Sequence, residues 1–284
     1  MRRFWAASRR DVLILSLLFF LPLVLFWQQT LGGRTLLPAE NLYQYPPFAA
    51  DREALGVPLP HNALLSDLVL QNMQWKAFIR ASFVEGELPL WNPTQFAGVP
   101  FLAAGQQSTL YPLSVLYYVL PLWLAYGWFT VITLWMAGAF MYAFARGLGI
   151  RRSGAAIAGV TYQLAGFFTV SAVFPMIIAG AAWLPLILLM LEFIIRRRPA
   201  FRGRSSPVVW AVIGAIAVGC VLLAGHAEIV YYTLLIAGYY TAARLLIAWW
   251  KGRRSPDAQG ALMLGGVGQA GGWAPVTVRR GAAL

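Results

Sequence analysis

The chain has 284 residues, of which 60% are hydrophobic and only 11% are charged. Soluble domains contain roughly 45–50% apolar and about 25% charged residues, and one soluble domain of this size cannot hide so much apolar surface. The composition therefore excludes an ordinary soluble enzyme and a disordered chain and predicts a membrane protein. The net charge of +12 fits arginines that flank membrane spans better than it fits nucleic-acid binding. The single cysteine, Cys220, excludes an intrachain disulfide and a cysteine-based metal site.

Six apolar runs in the chain are candidates for transmembrane helices. A membrane core needs about 20 apolar residues in helical form. The runs are Val12–Trp27, Gly127–Ala145, Gly154–Val173, Met176–Ile195, Val208–Gly225 and Ile229–Trp250. We expect an all-α polytopic protein of the cell membrane, with residues 1–254 as its transmembrane domain and residues 255–284 as an unstructured tail.

A seventh apolar run, Leu110–Leu124, conflicts with the charge distribution if it crosses the membrane. Counting it as a span would move the later arginine clusters to the outside, whereas cytoplasmic loops carry the excess of lysine and arginine. We therefore predict that it is interfacial or re-entrant, since Pro112 and Pro121 interrupt it, and that both termini are cytoplasmic. The cytoplasmic positive residues are then Arg2, Arg3, Arg9, Arg10, Arg146, Arg151, Arg152, Arg196, Arg197, Arg198, Arg202, Arg204, Lys251, Arg253 and Arg254.

This topology makes residues 28–108 a long external loop. Its segment Asn62–Phe83 contains no proline or glycine and predicts a helix with Asn62 as its cap. Asp67, Gln71 and Gln74 are spaced to share one face of that helix. A carboxylate between amides is able to orient a hydroxyl group and take its proton, although a solvated helix face explains the same spacing.

Several other polar and aromatic residues are candidates for the same external site. His226 and Glu228 follow the fifth span and lie on the same side of the membrane as Asp67 in this topology. They would either line a cavity shared with Asp67 or belong to a turn that ends the helix. The cations of Lys76 and Arg80 suit a phosphate or a solvated pair. The rings of Trp75 and Trp91 suit a sugar or the membrane interface. Two polar residues inside spans have a structural interpretation: Glu192 as an ion pair with Arg196, and Gln163 as a hydrogen bond between helices.

One block of sequence resembles a known family. Gly86-Glu87-Leu88-Pro89-Leu90-Trp91-Asn92-Pro93, continued by Phe96-x-Gly98-x-Pro100-Phe101, Gln106 and Tyr111-Pro112, is similar to bacterial YfhO-type membrane proteins. The Gly225-His226 turn followed by Tyr231-Tyr232 resembles a second element of that family. The resemblance covers roughly residues 60–240. Members of the family are usually longer, which suggests that this chain is an N-terminal fragment.

The resemblance implies a GT-C-like glycosyltransferase that uses sugars linked to polyprenyl phosphate. Such enzymes carry an essential acidic residue in the first external loop, and Asp67 is the best match, with His226 and Glu228 as further catalytic candidates. Gln71, Gln74, Trp75, Lys76, Arg80, Trp91 and Asn92 are then candidates for substrate binding. No cofactor is required, although Asp67 with Glu228 would suit a divalent cation. The expected partners are a lipid-linked sugar donor, membrane lipids and an external acceptor, with no nucleic acid. A transporter of flippase type and a catalytically silent membrane scaffold are the alternatives.

Overall fold

The computed structural model describes residues 8–60, 62–201, 204–205 and 207–253. These residues are predominantly helical, which confirms the all-α prediction. The α-helices are α1 (Arg9–Leu25), α2 (Trp27–Thr30), α3 (Met73–Val84), α4 (Val115–Val119), α5 (Leu122–Gly147), α6 (Arg152–Gln163), α7 (Gly166–Val170), α8 (Pro175–Ala182), α9 (Leu184–Ile195), α10 (Pro207–Leu223) and α11 (Ala227–Arg253). Two short antiparallel pairs also form: β1 (Trp91–Asn92) with β2 (Val99–Pro100), and β3 (Pro199–Phe201) with β4 (Arg204–Ser205). The predicted tail 255–284 lies outside the described residues.

Three helical stretches of the described residues are long and apolar enough to cross a membrane. They are Leu122–Gly147, Pro175–Ile195 and Ala227–Trp250. Pro207–Leu223 is apolar but shorter. Helices that are able to span a membrane by their length and composition are thus present, whereas the number of six spans and the sidedness of the loops stay predictions.

The predicted span Gly154–Val173 is not one helix. Helix α6 ends at Gln163, the backbone of Ala165 is extended (ψ 149°), and the short α7 begins at Gly166. Glycine is a poor helix residue, and the side chains of Tyr162 and Gln163 are bonded to other helices. These contacts hold the last turn of α6 in place. The prediction of one long span counted apolar residues only and took no account of such contacts.

Two prolines, Pro22 inside α1 and Pro185 in the first turn of α9, each lack the N–H that would bond to the carbonyl four residues earlier. Pro22 deprives the Leu18 carbonyl of its donor four residues on, and the Gln163 side-chain amide donates to that carbonyl at 3.2 Å. Pro185 does the same to the Ala181 carbonyl, to which the Tyr162 hydroxyl donates at 2.9 Å. The predicted interhelical hydrogen bond of Gln163 is confirmed.

Helices α1, α5 and α6 are joined at one end by a polar cluster. The Arg152 guanidinium donates two hydrogen bonds to the Asp11 carboxylate, at 2.9 and 3.1 Å. The Tyr142 hydroxyl donates to the same carboxylate at 2.5 Å. Ser8 and Asp11 cap each other's backbone at the start of α1, so one carboxylate begins a helix and joins it to two others.

The run Leu110–Leu124 is broken in the structure. A 3-10 turn (Pro112–Ser114) leads into the five-residue α4, the backbone of Leu120 is extended, and Leu122 already belongs to α5. A helix of five residues is far too short to span a membrane. Whether the run lies in the interface stays a prediction.

The first compact unit of the chain ends at Tyr240, and a second begins at Thr241. Within the first unit, an aromatic cluster forms the core around the start of α5. Tyr111, Tyr117, Tyr126 and Phe129 are buried there together. Leu37 and Val69 belong to the same cluster, so the segment 28–108 packs against the start of α5.

Candidate functional site

The helix predicted over Asn62–Phe83 is largely present, but its hydrogen-bond pattern changes near its start. A 3-10 turn (Ala63–Leu65) is capped by the Asn62 side chain, which accepts from the Leu64 N–H at 3.0 Å as predicted. A π-helical turn (Leu68–Asn72) then leads into α3. Single π-turns inside helices are often found at functional sites, and this one lies directly after Asp67.

The three polar residues predicted to share a face are all exposed. Asp67, Gln71 and Gln74 are on the outside of the helical segment, and Gln74 also donates to the Val69 carbonyl at 3.4 Å. Asp67 is therefore accessible to an acceptor molecule and is not enclosed by the protein. The insertion of the π-turn between Asp67 and Gln74 changes the angle between them from that of a regular helix.

Lys76 is the most unusual residue of the site, because its side chain is only 1% exposed. Its ammonium group donates to the Gln107 carbonyl at 2.5 Å and lies 4.6 Å from the centre of the Tyr117 ring, an arrangement suited to a cation–π contact. Neither ion pair found among the described residues involves Lys76. Burial lowers the pKa of Lys76 to about 7, because removal from water disfavours the charged form.

Two buried hydroxyl groups beside this lysine's contacts have no hydrogen-bond partner within the described part of the chain. They are the Tyr117 hydroxyl, whose ring the lysine contacts, and the Thr109 hydroxyl, two residues from Gln107. Most buried polar atoms are paired, so these atoms leave hydrogen-bonding capacity unused near the lysine. The sequence gives no signal for these residues, because Tyr117 is an uncharged residue in an apolar run, and Gln107 and Thr109 are uncharged residues in a polar stretch that resembles an ordinary loop.

The segment 105–109 connects this lysine to the turn between α10 and α11. The Ser108 hydroxyl donates to the Ala224 carbonyl at 2.6 Å. A Cβ on Gly225 would lie 2.3 Å from the Gly105 carbonyl oxygen, and the φ of Gly225 is +83°. Only glycine fits this close approach. The Gly225-His226 turn is thus packed against the segment that accepts the Lys76 hydrogen bond.

The two predicted residues beyond this turn differ in their surroundings. His226 is half-buried, and its Nδ1 is buried without a partner in the described part of the chain. Glu228 is exposed. The structure therefore brings the His226 turn close to Lys76 through the segment 105–109. The hydrogen bonds described above do not include Asp67 or Glu228.

The other candidates serve mainly the local fold. Arg80 donates to the Leu120 carbonyl at 3.2 Å. Both cations of α3, Lys76 and Arg80, thus donate to backbone carbonyls. Trp75 is half-buried and Trp91 is exposed. The Asn92 side chain is buried within its own turn, where it accepts from the Thr94 N–H at 2.9 Å. The hydrogen bonds of Asn92 therefore stabilise its own turn, which explains this residue without a role in substrate binding.

A metal site finds no support in the part of the chain that the structure describes, where no group of three or more potential metal ligands occurs. The predicted pairing of Glu192 with Arg196 is confirmed as an ion pair four residues apart. No protein-family model, curated protein or solved structure matches the chain.

Proposed function

We propose that the chain transfers a sugar from a polyprenyl-phosphate carrier to an acceptor outside the cytoplasm. The acceptor hydroxyl oxygen forms a bond with the anomeric carbon of the sugar, and the bond between that carbon and the phosphate oxygen breaks. Asp67 takes the hydroxyl proton, and the lipid phosphate leaves with the electron pair of the broken bond. A lipid-linked donor suits this side of the membrane, where nucleotide sugars are not available.

The observation that carries this proposal is the buried ammonium group of Lys76. A buried charge is costly unless it is paired, and among the described residues the charge of Lys76 is met by a carbonyl and an aromatic face. A phosphate group near it would offset the positive charge and favour protonation, which raises the pKa of Lys76 from about 7. In this proposal Lys76 stabilises the phosphate as it departs.

The neighbouring turn supplies a second group for the phosphate. His226 Nδ1 is buried and unpartnered within the described residues, and an imidazole N–H is a hydrogen-bond donor to phosphate oxygens. Asp67 and Glu228 are exposed, which leaves them open to an acceptor approaching from outside. Asp67 thus acts on the acceptor while Lys76 and His226 act on the donor.

The proposal is tested by transfer of labelled sugar from a polyprenyl-phosphate donor in vesicles containing the protein. We expect Asp67→Asn to reduce the rate by about 10²–10⁴, the range for a lost general base. Asp51→Asn is the matched control, because Asp51 is also exposed in the same loop and is expected to leave the rate unchanged. Equal rates for wild type and Asp67→Asn would remove Asp67 from the mechanism.

A binding measurement separates the donor site from the base. Lys76→Met is expected to weaken binding of a polyprenyl phosphate at least tenfold, whereas Asp67→Asn is expected to leave that binding unchanged. Wild-type affinity is expected to fall as the pH rises above about 7, where unliganded Lys76 loses its proton. An affinity that is unchanged by Lys76→Met and by pH would contradict the assignment of Lys76 to the phosphate.

A further inference from the structure

Residues 88–101 form a hairpin with an unusually exposed apolar surface. Its strands are β1 and β2, paired as Trp91 with Pro100 and Asn92 with Val99. Phe96, at the tip, is 93% exposed, and Leu88, Leu90 and Trp91 are 54–60% exposed. Large apolar side chains exposed in one short element indicate an interaction surface.

The tip is held in a defined conformation rather than being free to fold back. The Asn92 side chain accepts hydrogen bonds from the Thr94 N–H and hydroxyl at 2.9 and 2.7 Å. The Gly98 N–H donates to the Gln95 carbonyl at 2.7 Å. Phe96 has a φ of +49°, in the left-handed region that is rare for residues other than glycine. These contacts present the phenyl ring outward.

The base of the hairpin is fixed to α3. Phe101 is 3% exposed, and its ring packs edge-on against Phe78 with centroids 4.9 Å apart. The Phe101 N–H donates to the Leu90 carbonyl at 2.8 Å, which closes the base. The hairpin is therefore fixed at its base and projects from the segment 28–108.

The distribution of charge indicates what the hairpin contacts. The chain carries no Asp, Glu, Lys or Arg from Leu88 to Ala145, while the exposed Glu85 and Glu87 lie just before the hairpin. Charged residues are thus present at the end of α3 and absent from the hairpin. This is the pattern of an element partly immersed in a membrane interface, where Trp and other aromatic rings are enriched.

We propose that this hairpin inserts Phe96 into the interfacial region of the lipid bilayer, with Trp91 at the level of the headgroups. The described residues include three helices long and apolar enough to span a membrane, and a bilayer that surrounds these helices would reach the hairpin without a separate association step. The contact is apolar, because the hairpin has no charged side chain. Insertion is therefore expected to be the same in zwitterionic and anionic lipids and insensitive to salt.

The test uses a fluorophore on a single cysteine at the tip. Cys220 is buried and is first replaced by alanine. The variant Phe96→Cys is labelled with an environment-sensitive dye and reconstituted in vesicles that contain lipids with a quencher near the headgroup or deep in the acyl chain. Ala50→Cys is the matched control, because Ala50 is exposed in a charged part of the same loop, beside Asp51 and Arg52.

We expect strong quenching at position 96 by the shallow quencher, less by the deep one, and little at position 50. Quenching is expected to differ by less than a factor of two between zwitterionic and anionic vesicles. No quenching at position 96 would overturn the proposal, and a blue-shifted but unquenched dye there would assign the surface to a protein or sugar partner instead. Equal quenching at positions 96 and 50 would also overturn it, since the contact would not be specific to the hairpin.

Discussion

Replacing Gln163 tests whether an amide side chain compensates for a proline on a neighbouring helix. Pro22 leaves the Leu18 carbonyl without an intrahelical donor, and the amide of Gln163 donates to it at 3.2 Å in a fully buried position. In the variant Gln163→Leu the carbonyl loses this donor at a similar side-chain volume. An unpaired buried acceptor costs about 1–3 kcal/mol, whereas measured hydrogen bonds between membrane helices average only about 0.6 kcal/mol.

The net cost of Gln163→Leu is reduced by a second feature of the site. The Gln163 Oε1 is buried without a partner within the described residues and lies against Gly138, where a Cβ would be 1.9 Å from it. Leucine removes this unpaired oxygen as well. We therefore expect the single variant to lose about 1 kcal/mol of unfolding free energy.

The decisive quantity is the coupling to Pro22, measured in a double-mutant cycle. Pro22→Ala restores the N–H that the Leu18 carbonyl lacks, so Gln163→Leu should cost about 1 kcal/mol less in that background. The same logic predicts coupling between Tyr162→Phe and Pro185→Ala. The crossed pair, Pro22→Ala with Tyr162→Phe, is the control and should couple weakly.

Unfolding of the solubilised protein is followed by the reactivity of the buried thiol of Cys220 as denaturing detergent is added. An equal cost of Gln163→Leu with Pro22 and with alanine at that position would show that Gln163 does not compensate for Pro22. A crossed pair that couples as strongly as the two matched pairs would show the same, because the effect would then be general loosening of α6.

Three further predictions concern Lys76, the Gly225 turn and the hairpin. The folded state holds Lys76 neutral above about pH 7, while the unfolded chain keeps it protonated up to about 10.5. The unfolded state therefore binds more protons in that window, so the free energy of unfolding of the wild type rises with pH between about 7 and 10, and Lys76→Met should remove this rise. A wild-type free energy of unfolding that falls there would contradict the burial of the lysine. Gly225→Ala should cost more than about 1 kcal/mol, since its Cβ meets the Gly105 oxygen at 2.3 Å, and thermal unfolding equal to wild type would show that the turn is not packed there. Asn92→Ala should loosen the hairpin by about 1 kcal/mol and make it easier to cleave beside Phe96 with chymotrypsin; unchanged cleavage would favour a direct part for Asn92 in substrate binding.

The helices were predictable because their signal is spread over many residues. A run such as Met176–Ile195 remains apolar whatever its neighbours do, and the structure places helices over Pro175–Ile195. The capping of a helical turn by Asn62 was predictable for the opposite reason, since a cap is a local interaction between a side chain and nearby backbone. Both predictions need no knowledge of distant contacts.

The features that were not predicted from the sequence depend on contacts between residues far apart in the chain. The break after Gln163 reflects bonds to Leu18 and Ala181, which are remote in sequence. The burial of Lys76 depends on Gln107 and Tyr117, and lysine is otherwise among the residues least often buried. The π-turn after Asp67 likewise has no signature in residue spacing, so the sequence located the site's helix without its internal geometry.

The most direct test of sugar transfer measures both products in sealed vesicles that contain the protein and a lipid-linked donor labelled in its sugar. An external acceptor mixture is added, and the labelled sugar on the acceptor is compared with the polyprenyl phosphate released. We expect equal amounts of the two products from wild type and from Asp51→Asn, and strongly reduced amounts of both from Asp67→Asn. Movement of the intact labelled donor between leaflets without release of polyprenyl phosphate would contradict the account and assign the chain to lipid transport.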